Sequence, residues 1–523
     1  MANTVTQADN TISALIHAVG SQALVTDAAE CEFHAQDVFT KGPPPVAVFR
    51  PADTAMLMRG LAEAARLGLA IVPRGGGMSY TSGYIADVPG ALIVDTGRMD
   101  RVLEVNEADM TVTVEAGCTW NALYNELKPR GLRTPLWGTL SGIKATVGGG
   151  MSQNGVFWGG GNGTIAPSAL AMDVVLADGS LIRTGPGFIR PYGPDVTGLF
   201  AADAGAFGVK ATVTLPLMME ATAFAYGSYA FDQAGPIIAA MSQVGREGLA
   251  SECFGFDPFL QEQRMRRESL AKDAKQLLGM MRHQGSLWKG LKEGAKVVTA
   301  GRSFLDDARF SFHVICEGRH QGAVDADLAR ITAIALEHGG REVENTIPKI
   351  SRANPFPPVN SMVGPEGERW VPIHGLVSHS KAQAAMAAIE ALFASHRAEM
   401  DRLEVGAGYM MLPVGRTVFL IEPVFYWPDQ LEELHRRSIE PYHLARLKQF
   451  DANPAARALV EILRKGVIDC FARLNGAHFQ IGRTYPLNSG SDPKAIAILR
   501  ALKHEVDPDG RMNPGALGLG NQP

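Results

Sequence analysis

Several features that the chain lacks narrow the field. Its 523 residues hold 49 Lys and Arg against 54 Asp and Glu, a formal net charge of −5, so no basic excess is available to follow a nucleic-acid backbone. No apolar run reaches the length needed to cross a bilayer. The opening MANTVTQADN has none of the basic-then-apolar layout of a secretory leader. Five cysteines (Cys31, Cys118, Cys253, Cys316 and Cys470) are odd in number, scattered and never in a CxxC pair. That pattern argues against a disulfide framework or a structural zinc and fits a reducing compartment. GxxxxGK[ST] is absent, so phosphoryl transfer on a P-loop has no support. These absences predict a cytoplasmic chain of two domains or more, with no nucleic-acid or membrane partner.

Glycine is abundant, and in one place above all. The stretch GTLSGIKATVGGGMSQNGVFWGGGNG, residues 138–163, holds ten of the 57 glycines in the chain. An earlier cluster reads Pro73-Arg74-Gly75-Gly76-Gly77-Met78-Ser79-Tyr80, directly after an apolar run. Glycine costs backbone entropy on folding and returns positive φ and close approach of main chain to a ligand. Two such loops suggest backbone N–H nests for a large anionic cofactor, most simply one with a pyrophosphate. A flexible linker would carry Ser and polar residues where this chain has Thr146, Val147, Phe157 and Trp158. Gly161-Asn162-Gly163-Thr164-Ile165-Ala166 matches GxGxxA by letter, but 153–160 is a poor strand, and a Rossmann loop must follow one.

Periodicity predicts a β/α segment to about residue 220. Strands are expected at 46–50, 70–73, 92–95, 101–105, 111–115 and 209–216, and helices at 54–67 and 120–130, the second stopped by Gly131. Residues 171–184 read as a hairpin turning at Asp178-Gly179. From 224 to 445, strands at 227–231, 309–316, 371–376 and 418–425 alternate with helices at 234–246, 323–338 and 382–396, which predicts a sheet covered by helices. Residues 261–300 are charged, Met- and Lys-rich and helical in pattern, suited to a lid or an oligomer contact. Met-rich 401–412 reads as core. Helices at 456–474 and 493–506 precede the turn-forming end.

The series PRGGGMSY, VEAGCTW, TVGGG, MDVVLADGSLIRTG, YGPDVTGLF, GAFGVKATVTLP and DPDGRMNPG resembles the FAD-binding fold shared by vanillyl-alcohol oxidase, p-cresol methylhydroxylase and the glycolate oxidase flavoprotein subunit. The likeness spans about 45 to 220 and returns at 470 to 517. It implies an α+β chain: a two-part FAD-binding domain (1–222 and a returning 451–523) and an α/β substrate or cap domain (223–450) with an antiparallel sheet covered by helices. The resemblance further implies that Pro73, Arg74, Gly75, Gly76, Gly77, Met78 and Ser79, with Thr146, Val147, Gly148, Gly149 and Gly150, hold the FAD pyrophosphate. Ser152, Asn154, Gly205, Phe207, Gly208, Val209 and Asn513 match segments that line the rest of the cofactor. Relatives that tether the flavin use a His or Tyr in the second domain, or a His in the first glycine loop. Here 415–418 reads Gly-Arg-Thr-Val and the loop has Met78, so non-covalent FAD is expected.

Substrate class is where the subfamilies part. The glycolate oxidase and D-lactate dehydrogenase branch often carries a metal-binding HxGDGNxH segment, whereas residues 410–420 read MMLPVGRTVFL, without histidine. No metal is expected; His374 and His379, five apart, would lie on opposite faces of a strand. The phenol-oxidising branch binds a phenolate with a Tyr after the first glycine loop and an Arg in a late YRT segment. Tyr80 and Arg483, in Gly482-Arg483-Thr484, stand at the matching places, with His478 and Tyr485 beside them as further catalytic candidates. The residue that helps flavin reduction in vanillyl-alcohol oxidase falls near Thr164, leaving that role to another group. The expected activity is hydride transfer from a small hydroxylated substrate, best a para-substituted phenol or benzylic alcohol, in aromatic catabolism. The alternatives are a 2-hydroxy-acid dehydrogenase, in which Arg483 holds a carboxylate, and a non-catalytic flavin-carrying subunit. The partners implied are the substrate and an electron acceptor, oxygen or a redox protein, with homo-oligomerisation open.

Overall fold

Strand and helix alternate at the start of the chain because a short parallel sheet must be covered on both faces. In the computed structural model, which describes residues 2–267, 310–487 and 490–520, Ala47–Phe49 and Ile71–Arg74 both pair in parallel with Leu92–Asp95. Leu24–Val25 joins antiparallel on the outer side of Ala47–Phe49. Thr54–Arg66 is started by the Asp53 carboxylate, which accepts from the Met56 N–H, and it buries Leu57, Gly60, Leu61 and Ala64. Gly60 is required by that packing, since a Cβ there would stand 2.3 Å from the Phe49 ring. Full burial of Leu57 and Leu61 contributes about 1.5–3 kcal/mol each. A second, antiparallel sheet runs in the order Val102–Asn106, Thr111–Glu115, Val209–Pro216, Ala171–Val175, Leu181–Arg183. The end of the chain returns to the first sheet: Met512 bridges Ile71 in parallel, next to the free edge of Ile71–Arg74.

The chain divides into two compact units. The first comprises 1–157, 164–220 and 478–523, and the second 158–163 and 221–477. The return thus begins at His478 rather than at 451, because the Pro454–Arg473 helix packs on Ala382–Ser395 of the second unit. Trp158–Gly163 belongs to that unit as well: the Gly159 N–H donates to Glu252, Gly161 to Ser251 and Gly415 to Gly160. Gly161 therefore serves chain packing, a Cβ there falling 2.7 Å from the Ala250 carbonyl, and no strand precedes the run.

In the second unit an eight-stranded sheet orders Arg341–Glu342, Ala223–Phe231, Phe310–Gly318, Glu252–Phe256, Gly406–Val414, Val418–Trp427 and Arg369–Pro372, with Gly375–Ser378 also on Val418–Trp427. Every pairing in it is antiparallel. The helices Ala234–Glu247, Gln321–Glu337 and Ala382–Ser395 pack on it. The expected strand at 371–376 is two strands, broken at Ile373-His374, and His379 opens a 3-10 turn, so the two histidines do not share a strand. The expected helical segment at 261–300 lies outside the described residues beyond Arg267, the last one described of the Pro258–Arg267 helix.

Candidate functional site

The Ile71–Arg74 strand runs directly into the loop Gly75–Ser79. Among the described residues, none of the five consecutive main-chain N–H groups of that loop has an acceptor. Gly77 and Ser79 are buried and the other three half-buried, and buried amides are nearly always paired, so the run is a donor array open to a ligand. Gly77 has φ +69, which glycine adopts without strain. The Tyr84 hydroxyl, buried, donates to the Gly77 carbonyl at 2.9 Å and fixes the turn. Burial raises the Tyr84 phenol well above its ordinary range, a rise countered by Arg74 and reinforced by Asp37.

Beneath the loop lies Arg74, only 6% exposed, its guanidinium between the rings of Phe33 at 5.1 Å and Tyr84 at 5.4 Å. A Cβ on Gly77 would fall 2.3 Å from an Arg74 guanidinium nitrogen, so the cation packs directly against the loop. In register with Arg74 on the neighbouring strand is Asp95. Its carboxylate accepts from Arg50 Nε at 3.2 Å, His34 Nε2 at 3.1 Å and the Gly97 N–H at 2.9 Å. Burial alone would raise the Asp95 carboxyl, but the His34 bond, the Arg74 charge and the Gly97 N–H together bring it down to about 2.

The second glycine segment does a different job. Val147–Gln153 is a helix whose Thr146 hydroxyl accepts from the Gly149 N–H. The Val147 N–H donates to Cys118, Gly148 to Ala116 and Gly150 to Thr146, so the donors expected to meet a pyrophosphate are used within the chain. Its glycines allow chain to cross chain. A Cβ on Gly148 would meet Ala116 Cβ at 2.5 Å and one on Gly150 the Trp120 ring at 3.0 Å. The two loops also touch, since a Cβ on Gly76 would lie 1.8 Å from the Lys144 carbonyl and one on Gly75 2.5 Å from the Thr146 hydroxyl. The first loop keeps five main-chain N–H groups without an acceptor, and the second spends its own within the chain.

Of the remaining cofactor candidates, Ser152 and Asn513 meet at Ala204. Ala202 and Ala204, at φ +56 and +50, donate through their N–H groups to the Met151 and Ser152 carbonyls. Asp203 accepts from the Gly205 and Phe207 N–H groups and pairs with buried Lys210. A Cβ on Gly205 would meet Pro73 at 3.1 Å and one on Gly208 Val174 at 2.6 Å, so both glycines serve close packing, and Val209 begins the buried Val209–Pro216 strand. Asn154 caps Val147–Gln153 in the left-handed region, and its carboxamide oxygen accepts from the Ala166 N–H. The Asn513 carboxamide donates to the Gly83 carbonyl at 2.8 Å and the Ala204 carbonyl at 2.6 Å, while its oxygen accepts from Arg483 at 2.8 Å.

Arg483 proves to be a clamp. Its Nη1 donates to Ser82 at 2.8 Å, its Nη2 to Asn513 and to the Pro514 carbonyl, and its Nε pairs with Asp87 at 2.8 Å. Burial lowers the Arg483 pKa, partly offset by Asp87. Nη1 and Nη2 thus donate within the chain, whereas the buried Nε faces Asp87 as an ion pair without a hydrogen bond. His478 and Tyr485 do come together, their rings stacked 4.2 Å apart at 15°. Tyr80, half-buried, follows the donor array.

Sequence reasoning missed His34, Arg50 and Asp95, which lie 16 to 61 positions apart and carry no local motif. It also missed the buried Lys503, which donates to Ala206, Asp507 and Met512 and ties the Pro493–Val506 helix to the 203–207 turn. DPDGRMNPG held the signal for Asp507, but only as a turn.

A row of free amides over a buried guanidinium is a donor set for a dianion such as a diphosphate. Residues 45–185 match the family described as the FAD binding domain. The glycolate oxidase subunit GlcD of Bacillus subtilis (strain 168) is 30% identical over 176 residues, covering 33% of this chain and 37% of that protein. The probable mitochondrial D-lactate dehydrogenase of Danio rerio is 29% identical over 220 residues, 40% of this chain and 42% of that protein. The matches thus span about two-fifths of these relatives' own length. Among solved structures, p-cresol methylhydroxylase with substrate bound aligns with a TM-score of 0.72 over 98% of this chain and 97% of that one, at 16% identity, a likeness of fold. Residues 45–185 are thus an FAD binding domain, the cofactor they indicate is FAD, and the chain shares the fold of p-cresol methylhydroxylase.

Proposed function

We propose that the chain is an FAD-dependent oxidoreductase that takes a hydride from a small hydroxylated substrate. The observation that carries this reading is the run of unpaired N–H groups from Gly75 to Ser79, which suits an anionic dinucleotide and has no use within the chain. FAD when bound supplies two-electron acceptance at its ring system. The chain's residues bind it through the first loop, and the Asn513 and Arg483 bonds hold Gly83 and the end of the chain against that loop. We propose non-covalent attachment, since Met78 and Gly415–Val418 offer no tethering His, Cys or Tyr.

For the substrate we favour a para-substituted phenol or benzylic alcohol. The whole-chain likeness to p-cresol methylhydroxylase supports it, as does Tyr80 directly after the loop. The stacked His478–Tyr485 pair replaces Arg483 as the polar group proposed to meet a phenol. A 2-hydroxy acid is the second reading, favoured by the glycolate and D-lactate names of the sequence relatives. The test is anaerobic mixing of the yellow protein with a panel of both classes. Bleaching by a phenolic alcohol and not by lactate or glycolate is expected, the reverse pattern selects the second reading, and no bleaching by either class overturns both.

A further inference from the structure

A cavity of about 410 Å³ opens within the second unit, beside the Gly406–Val414 strand, a size suited to a small molecule. The rings of Phe310, Phe393 and Tyr409 line it, the last two stacked 6.0 Å apart at 23°. Tyr409 is 7% exposed, yet among the described residues nothing bonds its hydroxyl, so only a molecule that enters the cavity can satisfy it. Asp257 lines the same cavity and is 6% exposed. One of its oxygens accepts the Leu260 and Tyr409 N–H groups at 3.0 and 2.8 Å, and no basic side chain pairs with it among the described residues. Burial pushes its carboxyl up to about 6 despite those N–H bonds. Glu390, an exposed lining residue, also has no basic partner among the described residues, whereas Arg397 is paired with Asp401 at 3.8 Å. Phe393 belongs to the last turn of Ala382–Ser395, the helix end that favours positive charge.

We propose that this cavity binds an organic ammonium ion with an aromatic body, its N–H groups directed to the Asp257 carboxylate and the Tyr409 hydroxyl. The inference does not depend on the hydride-transfer reading. Two acids without a basic partner and the C-terminal end of a helix disfavour an anion, and aromatic faces attract both a cation and an arene. A bare metal ion would lack its shell of oxygens, since no group of three acid, His or Cys side chains among the described residues could hold one. A quaternary ammonium has no N–H to give to the carboxylate or the hydroxyl.

The test is calorimetric titration of the protein as purified with 2-phenylethylammonium, neutral 2-phenylethanol, anionic 3-phenylpropionate and the trimethylated ammonium. The primary ammonium should bind with a Kd of about 1 mM or below, and the other three more weakly by roughly tenfold or more. Asp257→Asn, which keeps an acceptor for the two N–H groups, should weaken it by roughly tenfold to a hundredfold, the size of a lost charge-assisted hydrogen bond. Tyr409→Phe should weaken it roughly fivefold and leave the melting temperature of the unliganded protein unchanged or higher, because no internal bond is lost. Ala394→Trp should block the cavity with its charges intact. Failure of the wild type to bind the ammonium, equal binding of the neutral alcohol, or wild-type affinity in Asp257→Asn would each overturn the inference. A marked drop in melting temperature in Tyr409→Phe would do so as well, by showing that the hydroxyl already has a partner. If Asp257→Asn does not fold, undiminished binding by Ala394→Trp overturns it equally.

Discussion

Gly76 and Gly149 stand in the two glycine-rich loops, yet an added methyl group would meet different neighbours at each. At Gly76 it would lie 1.8 Å from a main-chain oxygen that cannot swing away, and at Gly149 its one near neighbour is the Thr146 hydroxyl at 3.0 Å. Gly76→Val is therefore expected to cost about 1–3 kcal/mol or more even without flavin, read as a lower melting temperature of the apoprotein. Gly149→Ala should leave that temperature nearly unchanged, and a large drop would contradict the crossing described for this loop. Arg483→Ala strips a partner from Asn513, Pro514, Ser82 and Asp87 at once, and should lower stability by about 3–5 kcal/mol in chemical denaturation. Loss of turnover with unchanged stability would instead return Arg483 to the substrate. Asp95 carries a pH signature. Its carboxyl sits at about 2 in the fold against 3.8 ordinarily, worth about 2 kcal/mol. Because the folded value is the lower one, that stability is complete above about pH 4 and is lost as pH falls toward 2. Asp95→Asn should flatten the acid limb of stability against pH between those values, and a limb as steep as wild type would dismiss this role.

At the scale of elements, what could be read in the sequence was what local pattern determines. Leu92–Asp95, Thr111–Glu115, Val209–Pro216 and Pro493–Val506 fall where periodicity and caps put them, and Gly131 ends its helix with φ +67. Besides two-residue pairings such as Leu24–Val25, two longer strands escaped. Gly406–Val414 is Met-rich and interrupted by Gly408 and Pro413, and it reads as generic core because its β character comes from pairing with Val418–Trp427. Glu252–Phe256 is buried at every position, so it shows no alternation. In the site, the first glycine loop was legible because the φ of +69 at Gly77 and the close approach of chain at Gly76 favour glycine. The clamp was not, because Arg483 and its Ser82 acceptor are 401 positions apart and carbonyl acceptors leave no mark on residue type. Glycine is equally ambiguous in sequence: at 77 it makes way for a side chain and at 148 for another stretch of backbone, with the same letter. Asn513→Ala probes the element that closes the loop. It frees the Gly83 and Ala204 carbonyls, and flavin should wash out during gel filtration while the second unit keeps its own melting transition. Full retention of flavin would show that the terminal segment does not support the site.

For the molecule as a whole, the absence of a tethering residue has a direct readout. Acid precipitation should leave a colourless pellet and a yellow supernatant, and colour remaining with the pellet would mean a covalent link that Met78 and 415–418 do not foretell. The architecture also has an order of events built into it. The first unit is discontinuous, and its third piece starts only at His478, whereas all but six residues of the second unit are contiguous from Ala221 to Ala477. On a ribosome, 482 residues precede Arg483 and its bond to Ser82, and 512 precede Asn513 and its bond to Gly83. The insert can reach its native pairing well before the unit that surrounds it in sequence. During that interval the Gly75–Ser79 amides wait in a half-built unit, so cofactor capture awaits the residues beyond His478, after Cys253, Cys316 and Cys470 have already been buried in the insert.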